Sequence, residues 1–523
     1  MTAKPGRVAV IGNGPVGQTT ALLLARWGVP VVVLDQRAER DLTGSRSICQ
    51  QGDVLDVWAG VGVGQQLADE GVTWTTARTF YRDAELFSHT FRDPGRAHFP
   101  PFVNISQART EQLLDQRIAA DPLIEVRWGH RVTGLEQDAD EVRLRCGSEV
   151  VAADYAVACA GAHGDGARRM LGVRFEGHSF DDLFLICDIR ADLPQWASER
   201  RFYFDPEWNP GRQVLIHPCP DSMFRIDWQI PPDFDLDAES ASGALDARIR
   251  AIIGDREYEV VWKTVYRFHS RLVDRMRAGR VLLAGDCAHL VAPFGARGLN
   301  SGVADAENAA WKLAFVLHGW AGPELLDSYH AERHPAAEEN IAVTTATMEF
   351  LVPQTEEQRQ RRLRALEGAA TDPAARAAVD SGRLSEPFWY VDSPLSTADP
   401  TRPFAGRPPR GQTPPAAPGI LVPDLPVSTP GSGRLRELAR NGFLVLAADD
   451  VDLGPAQHVL SGLPIPARIF RISELDCSGS LATALAARPG ELWLIRPDAH
   501  IAAVLPHPDR AAIAAAVGRA LGG

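Results

Sequence analysis

The chain is short of positive charge: 54 Lys and Arg stand against 67 Asp and Glu, a formal net charge of -13. Nucleic-acid binders need basic stripes and anionic membrane surfaces attract cations, so both partners are disfavoured. Long apolar runs are also missing. None approaches the roughly 20 residues of a membrane-spanning helix, and the N-terminus enters a strand directly, with no basic, apolar and small-residue leader. The seven cysteines, at 49, 146, 159, 187, 219, 287 and 477, show neither a CxxC pair nor Cys/His ligand spacing. An odd, scattered set argues against a disulfide framework and a zinc site, and it points to reduced thiols and a cytoplasmic location. The sequence has no P-loop, no Ser-His-Asp nucleophile elbow and no internal repeat.

What the sequence does have is organisation. At 523 residues it exceeds one ordinary core, and two or three domains are expected. Residues 7–37, "RVAVIGNGPVGQTTALLLARWGVPVVVLDQR", read as strand, glycine turn, helix and strand, with Val8–Ile11 and Val31–Leu34 as buried parallel strands. Residues 105–120 have helical periodicity with Ser106 as N-cap. From 175 to 275 aromatics and period-2 alternation take over, predicting an antiparallel sheet as a separate module. Residues 334–392 read as mostly helical. Prolines crowd 394–430, a linker or an irregular wrap, and the last ninety or so residues alternate strand and helix again. The expected division is 1–174 and 276–395 for one split α/β domain, 175–275 for the inserted sheet, and 396–523 for a C-terminal α/β unit.

Two glycine loops carry the chemistry. Gly12-Asn13-Gly14-Pro15-Val16-Gly17 follows one strand and opens a helix, and Asp35 ends the next strand. The glycines permit a tight turn and close approach of backbone N–H groups to a pyrophosphate, while the acid accepts hydrogen bonds from ribose hydroxyls. This loop by itself leaves FAD and NAD both open. The second is "RVLLAGDCAHLVAPFGARGLNSG", Arg280 to Gly302. A strand delivers Gly285-Asp286 at its C-terminal edge, Pro293 shapes the loop, and the segment from Gly295 leads into a helix whose dipole favours negative charge. A ligand long enough to touch both loops, with a polyol for Asp286, is FAD rather than NAD.

With these residues in view, the chain resembles the single-component FAD-dependent aromatic hydroxylases, the p-hydroxybenzoate hydroxylase-like class A flavoprotein monooxygenases. Within them it is most similar to the phenol, hydroxyphenylpropionate and polyketide hydroxylase branch, whose C-terminal domain is thioredoxin-like. The likeness runs over Gly12, Gly14 and Gly17, Asp35 with Gln36 and Arg37, Arg46 in "SRSICQQ", Gln107 in "ISQART", the segment around 157–172, and Gly285-Asp286 through Lys312. It is weak over 175–275. The resemblance implies a Rossmann-like FAD-binding domain with the sheet domain inserted and the thioredoxin-like domain appended. It places Asp35 on the adenosine ribose, Asp286 on the flavin ribityl chain, Arg46 near flavin and pyrophosphate, and Gln107 near the pyrophosphate. Pro15, Val16, Gly161, Pro293, Gly295, Arg297, Gly298, Leu299 and Asn300 complete the implied cofactor set. It also implies NAD(P)H as co-substrate, O2, an aromatic small molecule, a flavin C4a-hydroperoxide that transfers OH, and a homodimer as a candidate assembly.

Two departures from the family pattern stand out. The middle motif usually reads Cys-Asp-Gly-Ala-x-Ser, whereas here it reads Cys159-Ala160-Gly161-Ala162-His163-Gly164-Asp165. Either Ala160 replaces the acid, in direct register, or a shifted register makes Asp165 its counterpart. The second is Arg297, where Gly-Gln-Gly is commonest, and a guanidinium there is expected to stabilise anionic reduced flavin.

In the middle module Tyr203, His217, Arg225, Trp228, Tyr266 and His269 are substrate-side candidates by type and region, and no catalytic base is assigned. "WQIP" at 228–231 resembles part of the tryptophan motif of flavin halogenases, but its preceding Gly-Trp portion is absent. Cys477 is the only cysteine of the C-terminal unit, which excludes dithiol chemistry there and leaves a structural or dimer-forming role. The expected activity is hydroxylation of a phenolic or polyketide-like molecule. The alternative on the same scaffold is a flavin oxidoreductase performing Baeyer–Villiger oxidation, epoxidation or dehydrogenation of a polycyclic substrate; a non-catalytic nucleotide-binding module is the third reading.

Overall fold

Val8–Ile11 and Val31–Leu34, the apolar runs flanking the first glycine loop, are fully buried parallel neighbours. Burial on both faces explains why each reads as a continuous β-branched run. They belong to a computed structural model that describes residues 6–42, 44, 47–90, 98–409, 412–429, 431–476 and 479–523. Their sheet has six strands in the order Arg277–Ala278, Val281–Leu283, Tyr155–Ala158, Val8–Ile11, Val31–Leu34, Ile124–Arg127, all parallel except the first. Helices Pro15–Arg26 and Arg297–Leu317 pack on it, and Gln107–Ala119 begins as expected, with Ser106 Oγ accepting from Arg109 N at 3.1 Å.

A second, eight-stranded sheet runs in the order His289–Leu290, Tyr258–Val273, Phe175–Ala191, Met223–Ile230, Gln213–Cys219, Glu199–Phe204, Thr76–Tyr81, Ala84–Thr90. It is larger than the 175–275 module expected from sequence and not wholly antiparallel. Glu199–Phe204 pairs in parallel with Thr76–Tyr81, a long-range partnership that local alternation does not reveal. Helix Ala244–Ile253 covers one face through Leu245, Ile249 and Ile253, packed against Trp228, Ile226 and Leu185. The other face looks toward the nucleotide loops.

In the C-terminal unit a four-stranded mixed sheet runs Ala467–Arg471, Phe443–Ala447, Glu491–Ile495, Ile501–Pro506, with Arg510–Ala520 and Gly454–Ser461 on one side. The proline-rich stretch before it is a wrap rather than a free linker. Thr397 N donates to Ala502 O at 2.7 Å and Gly419 N to Ile501 O at 2.7 Å, which ties the stretch to that sheet.

The C-terminal unit is joined to the nucleotide unit by a buried ionic knot. Glu332, on helix Asp327–Leu351, accepts from Lys312 Nζ at 2.6 Å, Arg496 Nη1 at 2.5 Å and Ser393 Oγ at 2.5 Å. Arg496 also holds Asp498. Beside the knot, Trp311 and Phe315 share one core with Phe443, Val445 and Leu494. Among the described residues no helix is long and apolar enough to cross a membrane.

Candidate functional site

Between the six- and eight-stranded sheets lies one continuous cavity of about 810 Å³. Its floor is the first glycine loop. Gly12 has φ +107°, and a Cβ there would sit 2.4 Å from the Cys159 carbonyl oxygen. A Cβ on Gly17 would lie 2.0 Å from the Gly12 carbonyl oxygen, so the turn requires both glycines. Gly14 is different. Nothing lies within 4 Å of a Cβ built on it, and it lines the cavity together with Gly12, Pro15 and Val16. That leaves open space against the N-terminus of helix Pro15–Arg26, where a phosphate is favoured.

Asp35 borders the same cavity with Gln36 and Arg37. It accepts from Asn13 N at 2.7 Å and from Arg37 N at 2.8 Å, and it pairs with the Arg37 guanidinium at 2.9 Å. Burial alone would raise its pKa, but the hydrogen bonds from Arg37 and Asn13 outweigh burial and hold it below the ordinary carboxylate value. Gln107 lines the cavity and accepts from Ser47 N at 3.2 Å. Arg46 lies outside the described residues. Of the middle segment, Ala160 and Gly161 line the wall. Asp165 is exposed and paired with Arg168 at 2.5 Å, so this stretch of wall carries no acid.

The second loop forms the opposite wall through Asp286, Pro293, Gly295, Gly298 and Leu299. Gly285 takes φ +58° and donates its N–H to Asp305 Oδ2 at 3.0 Å. Asp305 is enclosed with His289 and Arg333, each at 2.7 Å. Burial raises its pKa, yet His289 and Arg333 bring it down to about 2, so a fixed negative charge braces the turn that presents Asp286. Helix Arg297–Leu317 starts without a side-chain cap, after Ala296 in the left-handed region at φ 58°.

Two residues of this loop have side chains tied into the fold. The Arg297 guanidinium is committed to structure: it donates to Asn340 Oδ1 at 2.6 Å and to the carbonyls of Arg383 and Leu384 at 3.3 Å each. Burial, with Arg383 and Arg407 close by, pushes its pKa down to about 10, against the pull of Glu339 and Glu386. It clamps a loop, and Arg297 also borders the cavity. The Asn300 side chain accepts from Gln51 N at 3.0 Å and donates to the carbonyls of Cys49 and Ala296.

The far end of the cavity is the face of the eight-stranded sheet. Of the substrate-side candidates, His217, Arg225 and Tyr266 line it. Trp228 does not: it is fully buried on the opposite face against Leu245 and Ile249. Tyr203 also points away, stacked on Phe80 at 4.5 Å and accepting from Arg201 Nε at 2.8 Å. His269 bonds Ser179 Oγ at 2.8 Å, outside the cavity. Successive residues of a strand face opposite ways, so Arg225 and Trp228 occupy different faces. The same alternation brings in residues that sequence reasoning passed over: Asp227, Phe184 and Trp262, with Phe268 and Phe294 completing an aromatic wall.

The sequence pattern of the family described as "FAD binding domain" matches residues 6–344. Among curated proteins the chain is similar to a 3-(3-hydroxy-phenyl)propionate/3-hydroxycinnamic acid hydroxylase of Mycobacterium sp. (strain JLS), 30% identical over 376 residues, 71% of this chain and 65% of that one. A probable NADH-specific resorcinol 4-hydroxylase of Rhodococcus jostii (strain RHA1) is 29% identical over 345 residues, 63% of this chain and 62% of that one. The chain thus spans somewhat under two thirds of the length of these relatives. Among solved structures it superposes on the flavin-dependent monooxygenase PieE in complex with FAD and substrate, with TM-score 0.84, 22% identity and coverage of 98% and 99%. Aklavinone-11 hydroxylase with FAD and aklavinone gives TM-score 0.77, 23% identity and coverage of 100% and 99%. Likeness at these identities establishes a shared fold.

Proposed function

The chain belongs to the FAD-binding domain family, and from that premise we propose that it is an NAD(P)H- and O2-dependent monooxygenase hydroxylating a phenolic or polyketide-like aromatic molecule. One observation carries this reading. A single cavity of about 810 Å³ joins the first glycine loop and Asp35 to the aromatic face of the large sheet, with the second loop between them. Bound FAD supplies the two-electron carrier and the site of oxygen activation. The residues fit it. The open flank of Gly14 has room for the pyrophosphate beside a helix N-terminus, and Asp35 takes the ribose hydroxyls. Asp286 accepts from the ribityl chain, and the uncapped start of helix Arg297–Leu317 favours negative charge with about half a unit of positive dipole charge. Phe184, Phe268, Phe294 and Tyr266 keep water from the reacting ring.

The names of the Mycobacterium and Rhodococcus relatives support a phenolic substrate, and the second supports NADH as reductant. The six described cysteines are free thiols, which supports a reducing, cytoplasmic setting. Ala160 in the cavity wall favours a second reading, a flavin oxidoreductase performing Baeyer–Villiger oxidation, epoxidation or dehydrogenation. Isotope labelling separates the readings. Purified protein should release FAD on denaturation and consume NAD(P)H faster with a phenol present, placing one labelled oxygen from O2 on the ring. Label in an ester or epoxide, or oxidation with no label, selects the second reading instead.

A further inference from the structure

Strand register arranges the cavity face of the large sheet into two rows. In one, Asp188 stands opposite Arg225, and Arg225 opposite His217. In the next, Asp227 stands between Ile186 and Leu215. Arg225 is already matched: it forms a two-pronged pair with Asp188 at 2.8 Å for each prong, under the Trp262 ring at 5.6 Å. His217 and Asp227 are not matched to each other. His217 Nε2 lies 4.0 Å from Asp227 Oδ2, beyond hydrogen-bond range. Asp227 Oδ1 and His217 Nδ1 are buried with no hydrogen-bond partner. Orphaned polar atoms are uncommon in protein interiors, and here both residues border the cavity. A 4.0 Å gap between a potential donor and an acceptor accommodates one oxygen at about 2.8 Å from each.

Resting on the monooxygenase reading above, we propose that Asp227 and His217 form a hydroxyl-reading pair that seats the substrate's phenolic hydroxyl and takes up its proton. In this step the phenolic O–H bond breaks and the proton passes to Asp227 Oδ2. The electron pair stays on the phenolic oxygen, and His217 Nε2–H donates to the phenolate. Nothing is oxidised or reduced, and the net charge of the site is unchanged, so the step needs no new counter-ion.

The charges around the pair suit that task. Burial raises the Asp227 pKa to about 7; Asp188 on the adjacent strand adds to the rise, while Arg225 on its own strand and Arg200 two strands away oppose it. Burial, then Arg200 and Arg225, hold His217 well below its ordinary value, so it is a neutral hydrogen-bond partner at physiological pH. A carboxylate with a raised pKa gains its accepting form as pH climbs, so kcat/KM for phenols should rise through about pH 7.

The test uses the FAD-loaded enzyme with 4-nitrophenol, whose phenolate is coloured, and its methyl ether 4-nitroanisole. Wild type should bind 4-nitrophenol as phenolate and the ether more weakly by about 10²-fold. Asp227→Asn should keep FAD, bind the phenol in its neutral form, lose the rise through pH 7, and lose about 10²-fold in kcat/KM. His217→Gln should shift ionisation of the bound phenol to higher pH, and it decides the matter if Asp227→Asn fails to hold FAD. No phenolate band in wild type, an unchanged band and pH profile in both variants, or equal affinity for phenol and ether overturns the proposal. The two readings fail separately. Asp227-dependent ionisation without any labelled oxygen in a product sinks the monooxygenase reading alone, whereas wild-type label incorporation by Asp227→Asn sinks the hydroxyl pair alone.

Discussion

The two ends of the cavity are built by different rules. At the nucleotide end the surface is largely main chain, where Gly12 and Gly17 leave no room for a Cβ and Gly14 leaves the space a ligand would use. At the sheet end the surface is side chains selected by alternation: Phe184, Asp227, His217, Trp262 and Tyr266. Backbone shape tolerates almost no substitution and is therefore written in fixed spacing. Side-chain chemistry on a sheet depends on which parity faces inward, and it can vary with substrate while the sheet stands.

The charges behind each end sharpen this contrast first. Glu332→Gln, behind the nucleotide end, removes a charge enclosed with Lys312 and Arg496 and should cost about 3–5 kcal/mol. Asp188→Asn at the sheet end should cost less, because Asp227 on the same face still attracts the Arg225 guanidinium. Thermal midpoints of the two variants check this, and the reverse ranking breaks the comparison. Next comes Gly17→Ala. Its Cβ would sit 2.0 Å from a carbonyl oxygen, so about 1–3 kcal/mol of stability and retention of FAD through gel filtration should both be lost.

A smaller, paired effect tests the parity rule. Tyr266→Ala should raise KM for substrate while FAD content stays constant, because Tyr266 lines the cavity. Trp228→Phe, on the far face, should lower the thermal midpoint with KM unchanged. The smallest effect is expected from Arg297→Gln. With its guanidinium committed to Asn340 and two carbonyls, the reduction potential of bound flavin should not move. A shift in that potential, read by dye equilibration, would restore the electrostatic role suggested by the sequence.

What could be read from sequence divides along the same line. The opening strand, turn, helix and strand, the Ser106 cap and the Asp286 turn are local patterns, and each is found at its expected place. Thr76–Thr90 joining the large sheet was not legible, since a strand's partner more than a hundred residues away leaves no local mark. Arg225 and Trp228 stand three apart on one strand; counting by two from Arg225 reaches Asp227 and puts Trp228 on the opposite face. Arg297 and Asn300 sit in the expected loop, but apart from Ala296 their partners are residues 340, 383, 384, 49 and 51, which no motif specifies.

The Glu332 knot bears on how far the C-terminal part can be exchanged. One carboxylate is shared between a lysine of the nucleotide-binding part and an arginine of the C-terminal part, and Phe315 meets Phe443 across the same seam at 5.9 Å. A cassette cut from this chain at the proline-rich wrap would carry away Arg496 and strand Glu332 beside bared aromatic rings. The last hundred residues are therefore exchangeable only with a segment that again supplies a cation to Glu332 and an apolar face to Phe315.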